Sequence, residues 1–216
     1  MKQNNESNTQ ENLVTGDNNQ LQFSSAVRMF ETAITDEEVN EALKQINELA
    51  ENNNPKAQNF MGWLYYEGEL FQQDYKKAFT LFSKSAQSQY TDALFMLGVM
   101  CNKGQGINKD EKRGFHYFKL AADKGDEYAL FNIGIHYYNG YGIKKDLQKA
   151  FEYFHLAAQQ GIAEAQLNVG FLYHYGQGVE QNYEEAARWY EKAMKQGKEE
   201  AAFKLALITP KLHKAG

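Results

Sequence analysis

The chain has 216 residues, with 23 Lys and Arg against 28 Asp and Glu for a formal net charge of −5, and it contains a single cysteine. The negative balance argues against general binding to nucleic acid or to an anionic membrane surface, and one cysteine excludes any internal disulfide. No apolar run reaches the ~18 residues of a membrane-spanning helix, and no apolar segment follows Lys2 as a secretory leader would. A cytoplasmic protein is the expectation, since a reducing compartment suits an unpaired thiol.

In chain order, residues 1–20 are rich in Asn, Gln, Glu and Ser and offer almost nothing to bury, which predicts a disordered polar tail. From Leu21 the chain turns amphipathic. Thr35 and Glu38 have capping-box spacing, and Val39, Ala42, Leu43, Ile46, Leu49 and Ala50 follow at helical spacing. Ala42, Ile46 and Ala50 each stand 36 residues before Ala78, Phe82 and Ala86. Residues 21–56 therefore read as a degenerate repeat capping an array.

The array itself is written in the spacing. Alanine recurs at 57, 93, 129, 165 and 201, and Gly62, Gly98, Gly134 and Gly170 follow five residues after the first four. Gly68, Gly104, Gly140 and Gly176 come next, then Asp74, Asp110, Asp146 and Asn182, then Phe82, Phe118, Phe154 and Tyr190. A fixed period of this size signals stacked supersecondary units that bury their faces on one another. In the third copy, Ala129, Ile133, Gly134 and Tyr137 share one helical face, and Gly140 and Gly142 end the segment. Residues 147–160 form a second helix with Ala150, Phe154, Ala157 and Ala158 on one face, ended by Gly161. Each unit is helix, glycine loop, helix and short turn, with no room for strands. A helical glycine costs roughly 1 kcal/mol relative to alanine, so its recurrence implies close helix contact. The alanine pairs Ala121–Ala122 and Ala157–Ala158 allow similar contact on the second helix, with Phe118 and Phe154 filling the space between.

The regular array covers residues 57–208, four units and a C-terminal capping helix from Ala201 to Ile208 stopped by Thr209–Pro210, with 209–216 as a short tail. The two prolines, Pro55 and Pro210, flank it. Cys101 falls on the same face as Tyr65, Tyr137 and Tyr173, so a packed thiol is expected. The basic pairs Lys76–Lys77, Lys112–Arg113 and Lys144–Lys145 recur near the starts of second helices and read as a solvated rim.

The pattern Ala-x-x-x-(Leu/Ile)-Gly-x-x-Tyr-x-x-Gly-x-Gly-(Val/Ile)-x-x-Asp, followed by Ala-x-x-(Tyr/Trp)-(Phe/Tyr)-x-x-Ala-Ala-x-x-Gly, resembles the Sel-one-like repeat (SLR) family. Four units match over residues 57–200. The resemblance implies an α/α solenoid, a right-handed superhelix of 36-residue helix–loop–helix repeats, acting in protein assembly without chemistry of its own. Three positions depart from the pattern: Leu70 in place of the second loop glycine, Gln89 in place of the closing glycine, and Gly114 in place of a second-helix alanine. A cysteine-rich branch of the family ties its repeats with disulfides, and the single cysteine sets this chain apart from it.

On a helical wheel, with Ala129 as position one, positions one, five and nine face the stack. Positions three, seven, ten and eleven lie nearly opposite and are largely apolar and aromatic rather than charged. Trp63, Tyr66, Phe95, Asn102, Phe131, Ile135, Tyr138, Asn139, Phe171, His174 and Tyr175 are thus the candidate partner-binding residues. In related helical repeats this face lines the concave groove, and aromatic residues with polar tips dominate interface energetics. Positions ten and eleven are the better placed for a ligand, and three and seven also serve packing between adjacent first helices.

Chemistry is not expected. The five histidines occupy different repeat positions, with no HxxxH or HExxH pair for zinc. The loops Gly104–Gly106, Gly140–Gly142 and Gly176–Gly178 join helix to helix, whereas a phosphate-binding Rossmann turn joins strand to helix. No catalytic residue, metal or cofactor is assigned. The expectation is a non-enzymatic module of bacterial type that binds a protein. Two roles fit it: an immunity protein neutralising a toxin or effector, or an adaptor within a signalling or envelope-related complex.

Overall fold

The structure is a computed structural model and describes residues 19–212. The polar tail expected over 1–20 lies outside the described residues as far as residue 18, and residues 19 and 20 already open a helix. Residues 213–216, with His213, also lie outside them.

Eleven α-helices and no strand occupy the described residues. A leading hairpin consists of α1 (19–32) and α2 (Asp36–Glu51). The first helices of the four repeats are α3 (Pro55–Glu67), α5 (Thr91–Lys103), α7 (Glu127–Asn139) and α9 (Ala163–Tyr175). Their second helices are α4 (Tyr75–Gln87), α6 (Glu111–Ala122), α8 (Leu147–Gln159) and α10 (Tyr183–Lys195), and α11 (Glu199–Leu212) closes the array. The expected capping box starts α2: Glu38 N–H donates to Thr35 Oγ1 at 3.3 Å, and Thr35 N–H donates to Glu38 Oε2 at 3.0 Å.

Two compact units divide the chain, residues 19–93 with 105–107 and residues 94–104 with 108–212. In the first, Ala26, Ile46, Ala50, Ala57 and Met61 form the buried core, walled by Phe23, Phe30 and Phe60. In the second, Phe154, Ala157, Ala165, Val169 and Leu172 form one cluster, and Tyr190, Ala193, Ala201 and Ile208 another.

Each repeat is clamped where its two helices cross. A Cβ placed on Gly134 would lie 2.6 Å from Phe154 Cδ1, and on Gly98 2.7 Å from Phe118 Cδ1. The same holds for Gly170 against Tyr190 at 2.6 Å and Gly62 against Phe82 at 2.9 Å. Real Cβ atoms do not approach ring carbons so closely, so the ring rests on bare backbone. Asp74, Asp110, Asp146 and Asn182 are the N-caps of the second helices, each side chain accepting from the N–H three residues on. Their own backbone N–H groups donate back to Tyr65, Cys101, Tyr137 and Tyr173 carbonyls at 2.8–2.9 Å, closing every glycine loop identically.

The departures have local explanations. A Cβ on Gly125, Gly161 or Gly197 meets nothing within 4 Å, so Gln89 (φ 56°) and Asn53 (φ 62°) can take the same turn at the cost of left-handed strain alone. Gly142 differs: at φ +66° its Cβ would sit 2.4 Å from Lys112 N, because this loop presses on the start of α6. Leu70, at the corresponding place in the first repeat, keeps an ordinary φ and stays half exposed. Gly114 makes room for Asn102, whose Oδ1 would be 1.9 Å from an added Cβ. One boundary is corrected. The last helix does not stop at Thr209–Pro210 but runs through Pro210 to Leu212. In an exposed last turn, proline removes only the single bond to the residue 206 carbonyl, and Thr209 Oγ1 donates to Leu205 O at 2.9 Å.

Gly134→Ala tests the clamp. Alanine gains about 1 kcal/mol in helix propensity, but overpacking against the ring costs about 1–3 kcal/mol. A lower denaturation midpoint is expected, partly recovered when Phe154→Leu is added. Gly161→Ala, with open space around its Cβ but a φ of +98°, is expected to lose about 1–2 kcal/mol from left-handed strain alone, which Phe154→Leu does not recover.

Candidate functional site

The first helices present the outward positions, and their burial sorts them. Position one is fully buried at Ala57, Ala93, Ala129, Ala165 and Ala201, and position five at Met61, Leu97, Ile133 and Val169. Position nine is buried at Cys101, where burial pushes the thiol up to about 11, but Tyr65, Tyr137 and Tyr173 are only half buried. Their rings lie along the flank of the second helix instead, as Tyr137 does, stacked on Tyr153 at 5.6 Å under the Lys149 ammonium. Position eight takes the buried place, at Met100, His136 and Leu172.

Position three turns toward the clamp. The Phe131 ring lies 5.6 Å from Phe154, and Phe95 lies 5.6 Å from Phe118. These two candidates are half buried. Position ten is spent mostly on links to the next repeat. Tyr138 Oη donates to Gln177 Oε1 at 3.1 Å, and Tyr66 Oη donates to Gln105 Oε1 at 3.1 Å, pairs 39 residues apart in both cases. Asn102 reaches His136 Nε2 at 2.7 Å. His174 is buried at 4% exposure between Tyr175 (stacked at 4.2 Å), Tyr183 and Tyr190, so it packs inward rather than facing a ligand. Sequence spacing placed it outward; the Tyr183 and Tyr190 rings of α10 enclose it. The exposed candidates are Trp63, Asn139 and Tyr175. Trp63 stands edge-on to Tyr66 at 5.5 Å in the first unit.

Four candidates converge in the second unit. Ile135, Tyr138, Asn139 and Phe171 line a cleft of about 390 Å³, together with Phe154, Asn168, Leu172 and Glu200. Its floor is apolar, and two carboxamides and a carboxylate stand around it. Asn139 Nδ2 is committed to Ile135 O at 3.1 Å, and Glu200 pairs with Lys204 at 3.7 Å. The Lys204 ammonium in turn lies 5.6 Å over the Phe171 ring. The wheel missed Asn168 and Glu200. Asn168 follows one turn after Ala165, and Glu200 belongs to the capping helix; neither carried a signal until α9 and α11 were packed together.

No group of three His, Cys, Asp or Glu side chains converges on a metal-sized site among the described residues. His136 is a structural hub. Its Nδ1 lies 2.7 Å from Tyr141 O, which can only accept, so Nδ1 carries the proton and Nε2 accepts from Asn102 Nδ2. Burial holds its pKa below the ordinary value, and likewise those of His155 and His174.

The fold defines a helical-repeat module. The chain belongs to the Sel1 repeat family, whose model matches residues 55–90, 91–126, 127–162 and 163–198. Repeats of this family are interaction modules between proteins, generally without catalysis. A protective antigen with an SLR fold, present in uropathogenic Escherichia coli, is 34% identical with a TM-score of 0.75. That match covers 77% of this chain but 36% of the antigen, so the chain spans about a third of its length. A Sel1 repeat protein from Oxalobacter formigenes is 28% identical over 86% of this chain and 74% of its own, with a TM-score of 0.77. An immunity protein from Pseudomonas aeruginosa shares the fold at 22% identity and a TM-score of 0.51, covering 86% of this chain and 69% of its own. No curated protein matches the chain.

The neutral state of His136 predicts a pH dependence. The unfolded chain takes up a proton below about pH 6.5, whereas folding holds the imidazole neutral. Stability from this group is full above that value and lost as pH falls toward the lowered folded pKa. Wild type is expected to lose stability more steeply than His136→Gln between pH 7 and pH 5, measured by chemical denaturation.

Proposed function

We propose that the chain binds a partner protein through the cleft formed by α7, α9 and α11, with an apolar partner side chain seated between Ile135, Tyr138 and Phe171. The observation that supports this is the convergence of aromatic walls and a few polar side chains in one concavity. Binding pockets are mostly apolar with a few polar groups that fix orientation. Asn139, Asn168 and Glu200 supply those groups, and the Asn168 side chain has no hydrogen-bond partner among the described residues. Tyr175 adds exposed aromatic surface of the kind that serves as an anchor.

Within this reading the partner is a toxin or effector, held in a cytoplasmic complex that neutralises it. An immunity protein of Pseudomonas aeruginosa shares the fold, which supports the reading only at the level of architecture. Coexpression with toxins encoded beside the gene tests the role: failure to rescue cells from any of them removes it and favours an adaptor function.

The cleft is tested separately. Affinity capture is run with wild type, Ile135→Arg/Asn139→Arg, and Trp63→Ala, all of matched helicity. The cleft variant is expected to lose a partner that Trp63→Ala retains. Equal recovery by the cleft variant and wild type would place binding elsewhere.

A further inference from the structure

One buried acceptor in the second unit has no partner. Asn102 donates from Nδ2 to His136 Nε2 at 2.7 Å, while its Oδ1 is buried without a hydrogen-bond partner among the described residues. The space that Oδ1 occupies is cut into α6. Ala78, Ala150 and Ala186 are fully buried at the equivalent place of their second helices, and Gly114 stands there in α6. A Cβ added to Gly114 would lie 1.9 Å from Asn102 Oδ1 and 3.1 Å from Gly98 O, so both oxygens face the same small space. Leaving a buried acceptor unpaired is costly.

The carboxamide has a second way to sit. Turned over by half a rotation it keeps its shape and exchanges Oδ1 for Nδ2. Oδ1 then faces His136 Nε2, and Nδ2 faces Gly98 O, four residues back in α5. α7 uses that bond twice: Asn132 Nδ2 donates to Tyr128 O at 2.8 Å, and Asn139 Nδ2 to Ile135 O at 3.1 Å. Every group is then paired, provided that Nε2 carries a proton. Nδ1 already carries one, because Tyr141 O at 2.7 Å can only accept. The turned arrangement therefore belongs to the doubly protonated ring, and the present one to the neutral ring.

The surroundings set where the change falls. Phe115 and Phe118 of α6 border the imidazole at 5.6 Å and 5.8 Å, and Tyr141 borders it at 6.1 Å. Glu111, at the start of α6, favours the charged ring, and Lys109 pairs with that carboxylate at 2.7 Å. Burial outweighs it and moves the transition below the ordinary histidine range. We propose that Asn102 and His136 form a proton-driven switch between α5 and α7: proton uptake at Nε2 turns the Asn102 carboxamide over, so that Oδ1 accepts from Nε2–H and Nδ2 donates to Gly98 O. The joint holds in both states, through a neutral bond above the transition and a charge-assisted one below it. α7, which carries Ile135, Tyr138 and Asn139, stays tied to α5 as the pH falls.

NMR of the full chain tests this. At pH 7 the Asn102 Nδ2 protons are expected to contact the His136 ring protons. On acidification they should lose those contacts and gain contacts to the Gly114 α-protons, with the midpoint of the His136 titration itself. A carboxamide that keeps its ring contacts throughout overturns the proposal, as does a chain that unfolds before the ring takes its second proton. Asn102→Leu separates the switch from a fixed link. A fixed donor to Nε2 favours the neutral ring, so its loss would raise the His136 pKa. Loss of the switch is expected to lower it by roughly one pH unit, and a raised value overturns the proposal.

Discussion

The contact between a helical glycine and an aromatic ring is the constraint from which the rest follows. Phe82, Phe118, Phe154 and Tyr190 each lie on the bare backbone of Gly62, Gly98, Gly134 and Gly170. That contact sets how closely the two helices of a repeat approach. It also turns Phe95 and Phe131, at position three, toward the ring. The cost of glycine in a helix is modest, and the contact area of a fully buried aromatic ring exceeds it.

A second layer of interactions sets the register between successive repeats. The N-capping Asp or Asn returns its backbone N–H to position nine of its own first helix. The loop glutamines Gln105 and Gln177 then accept from Tyr66 and Tyr138 of the repeat before. In the second repeat the same task falls to Asn102, which reaches the buried His136 and displaces the usual alanine by requiring Gly114. A single repeat position thus performs one mechanical task with two different chemistries.

The cleft arises where these tasks leave polar groups to spare. Tyr138 is partly committed to its latch, and Phe171 carries an ammonium over its face, yet Asn168 and the free oxygen of Asn139 remain available at the wall. A binding surface of this kind is cheap for a repeat protein. The scaffold is satisfied internally, and outward positions vary without disturbing the clamp.

The all-α class, the four units and the close helix contact at the recurrent glycines were legible in the sequence, because each depends on residues within one period of each other. Helix and loop chemistry is local, and its repetition made each feature visible several times over. What only tertiary structure decided is the fate of the outward face. His174 lies inward although its wheel position matches Tyr66 and Tyr138, because Tyr183 and Tyr190 surround it. Asn168 and Glu200 join Ile135, Tyr138 and Phe171 only after α7, α9 and α11 are brought side by side. A helical wheel gives the direction of a side chain about its own axis. The angle and distance between neighbouring helices determine what that side chain meets, and those come from packing.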